Sequence, residues 1–338
     1  MSRLTSGAGL PDVGWDIRQW DRGAHVLQGR PWGAFQEALT RRIVWAESDA
    51  WSWIGFVLKN RAFSYLYVPY GPTILHVADL REVTASMTWI GRAMGLDFAR
   101  CEPMGVAAAH LPDAGLLHVE SIQPVRTRVV DLTVPETELR SGLSSGHRNA
   151  VNRAGRHGIE VTISRDASRS DQVIDLITAT ASARQFRGHE KSYFDTMLRT
   201  LLPTGGAKLG LAEHEGELVS AAIVFDYGNT RAYGHAGNGP EARKLQTSVP
   251  LVWQLMMDAK QQGLSRFDLW GIASPDAGPE DPWSGFTSFK RAFGGEDIAY
   301  AGAWELPIHH RRHRAFRLAK RAANSLSRLT EVKRRKGT

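Results

Sequence analysis

The stretch AKLGLAEHEGELVSAAIVFDYGNTRAYGH, residues 207–235, decides the fold. It contains three β-type runs, 207–213, 218–227 and 230–235, rich in branched and aromatic residues and parted by Glu215-Gly216 and Gly228-Asn229. Pairs of this kind close tight reversals between antiparallel strands. Ahead of them the sequence predicts a helix including Tyr193, Phe194, Met197 and Leu198. Behind them Gly237-Asn238-Gly239-Pro240 leads to a helix over about 248–262, stopped by Gly263, and then to a strand over 266–269.

The first half of the chain repeats this order. Residues 1–22 are rich in Gly, Asp and Arg and predict a loose lead-in. Pro31 then opens a helical pattern containing Trp32, Phe35, Gln36 and Leu39. Runs at 42–47, 51–58 and 63–68 follow, parted by Ser48-Asp49 and Lys59-Asn60, and Tyr70-Gly71-Pro72 breaks the strand pattern. Asp79 with Glu82 predicts a capping box for a helix through Trp89 and Met94 to Gly95, before a strand over 96–101. A helix, three antiparallel strands, a loop, a helix, a glycine and a strand therefore occur twice. The fold class is α/β (α+β), with two mixed, largely antiparallel sheets flanked by helices. Between the halves lie a β-rich crossover at 124–135 and a helix over 136–157 bearing Arg140, Arg148, Arg153 and Arg156. Such arginines form either a solvated face or a phosphate contact.

At 338 residues, with 42% hydrophobic and 23% charged residues, the chain has the length of two domains and an ordinary globular composition. No apolar run reaches the roughly 18 residues of a membrane span. The N-terminus has no signal-peptide core, so a cytoplasmic location is expected. Cys101 is the single cysteine, which excludes an internal disulfide and a multi-cysteine metal site. The net charge of +7 is not evenly spread: from His309 onward there are eleven Lys and Arg against one acid, Glu331. That tail carries +10 and the remaining chain −3. A basic helix with Phe316, Leu318, Ala322, Leu326 and Leu329 among its charges suits an anionic membrane surface or an RNA backbone, or is simply solvated.

Residues 285–304, GFTSFKRAFGGEDIAYAGAW, hold the candidate chemistry. Phe286, Phe289 and Phe293 recur at helical spacing, Lys290 sits beside that stripe, and Gly294-Gly295 ends it. A lysine there either snorkels to solvent or stabilises an oxyanion at the floor of a pocket. There is no Gly-x-Ser-x-Gly elbow, no phosphate loop ending in Gly-Lys-Ser or Gly-Lys-Thr and no His-Glu-x-x-His helix, which removes hydrolase, kinase-like and zinc-enzyme classes. His309, His310 and His313 sit among arginines and are read as charge, so no metal site is expected.

The second half resembles an acyltransferase core of the GNAT kind, in which small residues at a turn let backbone amides cradle the pyrophosphate of coenzyme A. Where that pattern expects glycine, Arg243-Lys244-Leu245-Gln246-Thr247-Ser248 has Gln246, which implies a different acyl donor and no cofactor. The whole chain, from about His25 to Pro307, resembles the FemABX family of aminoacyl-tRNA-dependent peptidoglycan aminoacyltransferases, of the short type without a coiled-coil arm. The pieces that carry the resemblance are Leu27-Gln28 with Trp32, Tyr67-x-Pro69-x-Gly71-Pro72 and the helix end from Arg148 to Gly158. Further pieces are Arg184 and Phe186 ahead of Tyr193-Phe194, Tyr233 to Asn238, Phe267 to Gly271, and Phe289-Lys290 to Tyr300-x-Gly302.

The resemblance implies two GNAT-like domains. The first, 1–130, is on the acceptor side and is completed by 303–338; the second, 131–302, is catalytic; 309–338 forms a basic helical tail. It also implies transfer of an amino acid from aminoacyl-tRNA to an amine of a peptidoglycan precursor, lipid-linked or nucleotide-linked. Lys290 would contact the oxyanion or the terminal phosphate, Phe289 would seat the tRNA end, and Asp268 would hold Lys290 or take the amine proton. Trp32, Gln36, Tyr67, Arg184 and Tyr233 would line the precursor groove, with Arg148 and Arg153 on the tRNA. Family members that bind nucleotide-sugars carry lysine at the position of Gln36. A neutral amide there weakens a diphosphate contact and leaves room for a lipid-linked precursor or a small-metabolite amine. A non-catalytic RNA- or membrane-binding pair of GNAT-like units is the alternative of another class, and a coenzyme A-dependent acyltransferase is disfavoured by Gln246.

Overall fold

The computed structural model describes residues 4–183, 188–278 and 284–322, and among these the strands form two sheets. The first sheet is built from β1 (Thr5–Ala8), β2 (Ile43–Glu47), β3 (Trp51–Lys59), β4 (Ser64–Val68), β5 (Thr73–Ile74), β6 (Phe98–Cys101) and β7 (Leu117–Val119). The second uses β8 (Arg126–Asp131), β9 (Ile159–Ser164), β10 (Lys208–His214), β11 (Glu217–Tyr227), β12 (Thr230–Asn238), β13 (Arg266–Gly271) and β14 (Glu296–Ala299). A last strand, β15 (Ala303–Pro307), returns to the first sheet. Glu215 and Gly216 both take positive φ in the β10–β11 reversal, as a tight hairpin turn requires.

The two sheets have the same plan. Their orders are β1-β2-β3-β4-β6-β15-β7 and, read from the other edge, β9-β10-β11-β12-β13-β8-β14. In each, three antiparallel strands lead to one parallel pair, β4 with β6 and β12 with β13. Each parallel pair is joined across a helix, α3 (Leu80–Ala93) or α9 (Ser248–Gln261), and each helix is followed by a glycine of positive φ, Gly95 or Gly263. The sixth strand of each sheet comes from the other half of the chain. β8 leaves the first half to lie between β13 and β14, and β15 returns to lie between β6 and β7. The crossover residues 126–130 therefore belong to the second sheet, and 303–307 to the first.

Helices α1 (Trp15–Asp21) and α2 (Arg30–Ala38) cover one face of the first sheet and reach the second half. Phe35 meets Tyr193 of α7 (Lys191–Leu201) edge-on at 5.0 Å, and Trp32 meets Phe225 of β11 at 6.0 Å. The Tyr227 hydroxyl donates to Asp16 at 2.9 Å. Val26, Leu27, Phe35 and Tyr70 share one apolar core with α6 (Ser170–Ala183), α7 and the inner face of β10–β12, so the two units are packed through a common interior.

Three local expectations are corrected. The lead-in is ordered: β1 pairs with β2, and Trp15 of α1 is fully buried with its indole N–H on the Gln28 carbonyl at 2.9 Å. Asp79 makes no side-chain cap, because a 3-10 turn over Val77–Asp79 runs directly into α3. The segment 136–157 is two helices, α4 (Glu136–Gly142) and α5 (Ser145–Arg153), since Ser144 adopts extended dihedrals and its hydroxyl caps the second from the His147 N–H. At the C-terminus a helix over 310–322 docks on the first sheet. It is held by His313 on Glu305 at 2.7 Å, Arg312 on Asp97, and Phe316 against Phe98 at 4.7 Å. The rest of the basic tail lies outside the described residues.

Candidate active site

The site grows from the place where β12 and β13 part. Their parallel pairing covers only Thr230–Ala232 against Arg266–Asp268. Beyond it a bulge at Ile223/Val224 bends β12, and Trp270 takes φ +64, a left-handed conformation that is costly for a tryptophan and turns β13 away. Asp268, the last paired residue, is 5% exposed. Its Oδ1 accepts from the Trp270 N–H at 2.7 Å and from the Thr127 hydroxyl on β8. Burial raises the Asp268 pKa, and the hydrogen bonds from Thr127 and Trp270 and the charge of Lys290 offset part of that rise.

Lys290 lies in α10 (Ser284–Arg291) and is 7% exposed, so it does not snorkel. Its Nζ donates to the Gly271 carbonyl at 2.5 Å. Desolvation lowers its pKa to about 8, against the opposing pull of Asp268. The aromatic stripe of α10 explains the burial: Phe293 packs in the core of the second unit and Phe289 partly so, with His147 of α5 over both rings at 4.5 and 5.3 Å. Thr287 accepts from the Ala273 N–H at 2.7 Å, which fixes α10 against the end of β13. Gly295 then passes so close to β8 that a Cβ would come 2.1 Å from the Val129 carbonyl. A buried cation thus stands at the open end of the splay, beside a buried carboxylate. A group of that kind stabilises negative charge far better than it would in water.

The other expected residues fall into three places. Gln36 is buried and accepts from the Arg41 guanidinium, which lies 4.9 Å over the Phe56 ring. Phe56 in turn meets Tyr67 at 5.5 Å, and the Tyr67 hydroxyl donates to Glu102 at 2.9 Å. Trp32 lies beside Phe35 at 5.1 Å. Tyr233 shares the opposite core with Phe267 and Phe293, so it belongs to the α10 side of the sheet and not beside Trp32. Arg148 caps α4 through the Ser141 carbonyl at 3.0 Å, and Arg153 reaches the Gln246 side chain at 3.3 Å. Arg184 and Phe186 lie outside the described residues. Gln28 is fully buried and bonds the Ile54 backbone and the Pro69 carbonyl, which makes it a strut under Gly71-Pro72.

Sequence reasoning missed Thr127, Arg41, Glu102 and His25. Each is an ordinary residue in a strand or loop without a spacing pattern, so no sequence signal marks it. At the turn where a coenzyme A cradle would form, Gln246 takes φ +56. Behind it the Ser220 hydroxyl bonds Thr247 at 2.6 Å and Asn238 at 2.7 Å, and Ser248 also bonds Asn238 at 2.7 Å. Side chains occupy the start of α9 that the cradle leaves to small residues.

Residues 143–283 match the family model described as an acetyltransferase (GNAT) domain. Over 167 residues the chain is 26% identical to the UDP-N-acetylmuramoylpentapeptide-lysine N(6)-alanyltransferase of Weissella viridescens, covering 49% of this chain. The match spans 48% of that relative, about half its length. Among solved structures, FemX matches with a TM-score of 0.78 at 15% identity, over 91% of this chain and 99% of the other. L-PGS from Bacillus licheniformis matches with a TM-score of 0.58 at 14% identity, over 89% and 93%. The structural likenesses carry the fold: two mixed α/β, GNAT-like units in one chain. Together with the sequence match they bear out the FemABX resemblance.

Proposed function

We propose that this chain, a FemABX-type relative on a tandem GNAT-like scaffold, transfers an amino acid from aminoacyl-tRNA to an amine of a peptidoglycan precursor. The observation that carries the proposal is the buried Lys290 at the end of β13, on a scaffold whose cradle turn is occupied by Gln246 and its Arg153 partner. A GNAT-like splay whose donor side is built this way suits an acyl group already activated as an ester on another carrier. The arginines of α4 and α5, with Arg243 and Lys244, form the cationic approach for the tRNA end.

The chemistry is aminolysis. An acceptor ammonium gives a proton to Asp268 and, as the free amine, attacks the ester carbonyl. The new C–N bond forms, and the carbonyl oxygen becomes an oxyanion that Lys290 stabilises. The C–O bond to the tRNA ribose then breaks, and one of the two protons on the attacking nitrogen passes to the leaving oxygen, the other staying as the amide N–H. Binding both substrates in one frame supplies most of the advantage, since the ester needs no further activation. On the acceptor side, the half-buried Trp32 and Arg41 meet the precursor, with Gln36 and Tyr67 buried behind them, and Arg41 brings the cation that Gln36 itself lacks. The enzyme works in the cytoplasm with the basic tail from His309 at the inner membrane face. Arg311, Arg314 and Leu318 on the exposed side of the docked helix support that contact.

The test is incubation with tRNA charged with a labelled amino acid and with lipid-linked or nucleotide-linked pentapeptide. Label is expected on one precursor, and its absence from both rejects the assignment.

A further inference from the structure

A cavity of about 190 Å³ lies between the two units on the side of Asp268 away from α9, with His25, Met104, Ala232, Arg266, Asp268 and Tyr300 in its wall. At about 30 Å³ per water it has room for roughly six waters, or for an aliphatic amine of side-chain length. Three features give it a chemical character. Both hydrogen bonds to Asp268 fall on Oδ1, and among the described residues Oδ2 accepts none. A buried carboxylate oxygen left open toward a cavity calls for a donor or a cation from outside.

The rings around it are aromatic. Tyr70 stands 5.1 Å from Tyr300 and 4.3 Å from His25, and His25 stands 5.0 Å from Trp270. Aromatic faces beside a carboxylate attract a desolvated ammonium. His25, in turn, is held uncharged. Its Nδ1 accepts from the Leu27 N–H at 3.2 Å, which places the ring proton on Nε2, and burial lowers its pKa to about 3. No imidazolium therefore competes with an incoming cation. Arg266 is the cation of the lining, and it is exposed at the β13 start, where solvent screens it.

Taking the reading above that the site transfers an acyl group to an amine, we infer that this cavity is the entry pocket for the acceptor's ammonium group. Asp268 Oδ2 is its terminus, Tyr300 its aromatic wall with Tyr70 packed behind it, and His25 a positioning residue that keeps the wall neutral. The acceptor then reaches the splay from between the units, and the ester from the α9 and α10 side.

A binding measurement tests this without tRNA or turnover, so its outcome is separate from that of the transfer assay. Nα-acetyl-lysine methylamide and its norleucine counterpart, which lacks the amine, are titrated into the full chain and followed by NMR. The lysine probe is expected to bind at least tenfold more tightly. Asp268→Asn, nearly isosteric, should bring the two probes within about twofold, and Met104→Trp, which fills the cavity, should abolish binding of both. Equal binding of the probes to the wild-type chain overturns the inference. So does a lysine preference that survives in a folded Asp268→Asn protein, or binding that survives in Met104→Trp. If labelled transfer occurs but the preference is absent, the pocket assignment fails and the activity stands.

Discussion

Lys290→Met should make the protein more stable at neutral pH while removing its activity. Burial lowers the Lys290 pKa from 10.5 to about 8. At pH 7 the amine is charged both folded and unfolded, so the native state carries the whole cost of holding that charge out of water. From 10.5 to about 8, this cost is about 3 kcal/mol. Methionine has similar length and no charge, so the variant is relieved of it. The variant also loses the bond to the Gly271 carbonyl, and an unmet buried acceptor costs about 1–2 kcal/mol. Set against that one bond, a gain of about 1–2 kcal/mol remains at pH 7.

The advantage shrinks with alkali. Between about 8 and 10.5 the folded lysine releases its proton while the unfolded one keeps it, so the wild-type chain becomes more stable as pH rises. By about pH 9.5 roughly 2 kcal/mol of the cost has gone, and the variant is level with the wild type or below it. Urea unfolding of both proteins at the two pH values, read by tryptophan fluorescence, measures the difference. The same variant should lose transfer by about a hundredfold or more, with the acceptor KM little changed, because an interaction made only in the transition state is gone. A variant that is less stable at pH 7, or a stability difference that ignores pH, would refute the assignment of Lys290 as a buried charge.

Gly295→Ala should cost about 2–4 kcal/mol, because φ is +80 and the new methyl would meet the Val129 carbonyl on β8; thermal unfolding checks it. Glu305→Gln leaves the buried Arg100 without its counter-charge and weakens the His313 contact that docks the C-terminal helix, a loss of about 3–5 kcal/mol. Limited proteolysis should then cut near that helix faster than in the wild-type chain. Arg153→Glu should weaken tRNA binding and flatten its salt dependence by about one phosphate contact or more, measured by filter binding across salt concentrations. Truncation after Ala322, combined with Arg311→Glu and Arg314→Glu, should abolish binding to anionic vesicles while leaving the docked helix in place.

Much of the secondary structure could be read locally. The reversals at Glu215-Gly216 and Gly228-Asn229 and the stops at Gly95 and Gly263 depend on residues a few positions apart, and all four lie at the ends of the elements read from sequence. Lys290 beside Phe289 and Phe293 was legible for the same reason, since side chains three and four apart share a helix face. Local signals failed where a competing local structure won. Asp79 lost its capping role to a 3-10 turn, and Ser144, a good N-cap, divided one expected helix into two.

What the sequence alone determined is the repeated order of elements and the types of residue available for chemistry. Tertiary structure decided which of them meet. Thr127 and Asp268 are 141 residues apart and touch because β8 crosses to complete the second sheet; β15 completes the first in the same way. Each unit would otherwise leave a gap between its fifth and last strands, with unpaired backbone groups that a buried sheet does not tolerate. The same packing settled which face each strand residue took, placing Asp268 toward the interdomain cavity and Tyr233 toward α10. It also took Lys290 out of water. A lysine's pKa depends on what surrounds its last atom, and those surroundings come from strands and helices distant in the chain.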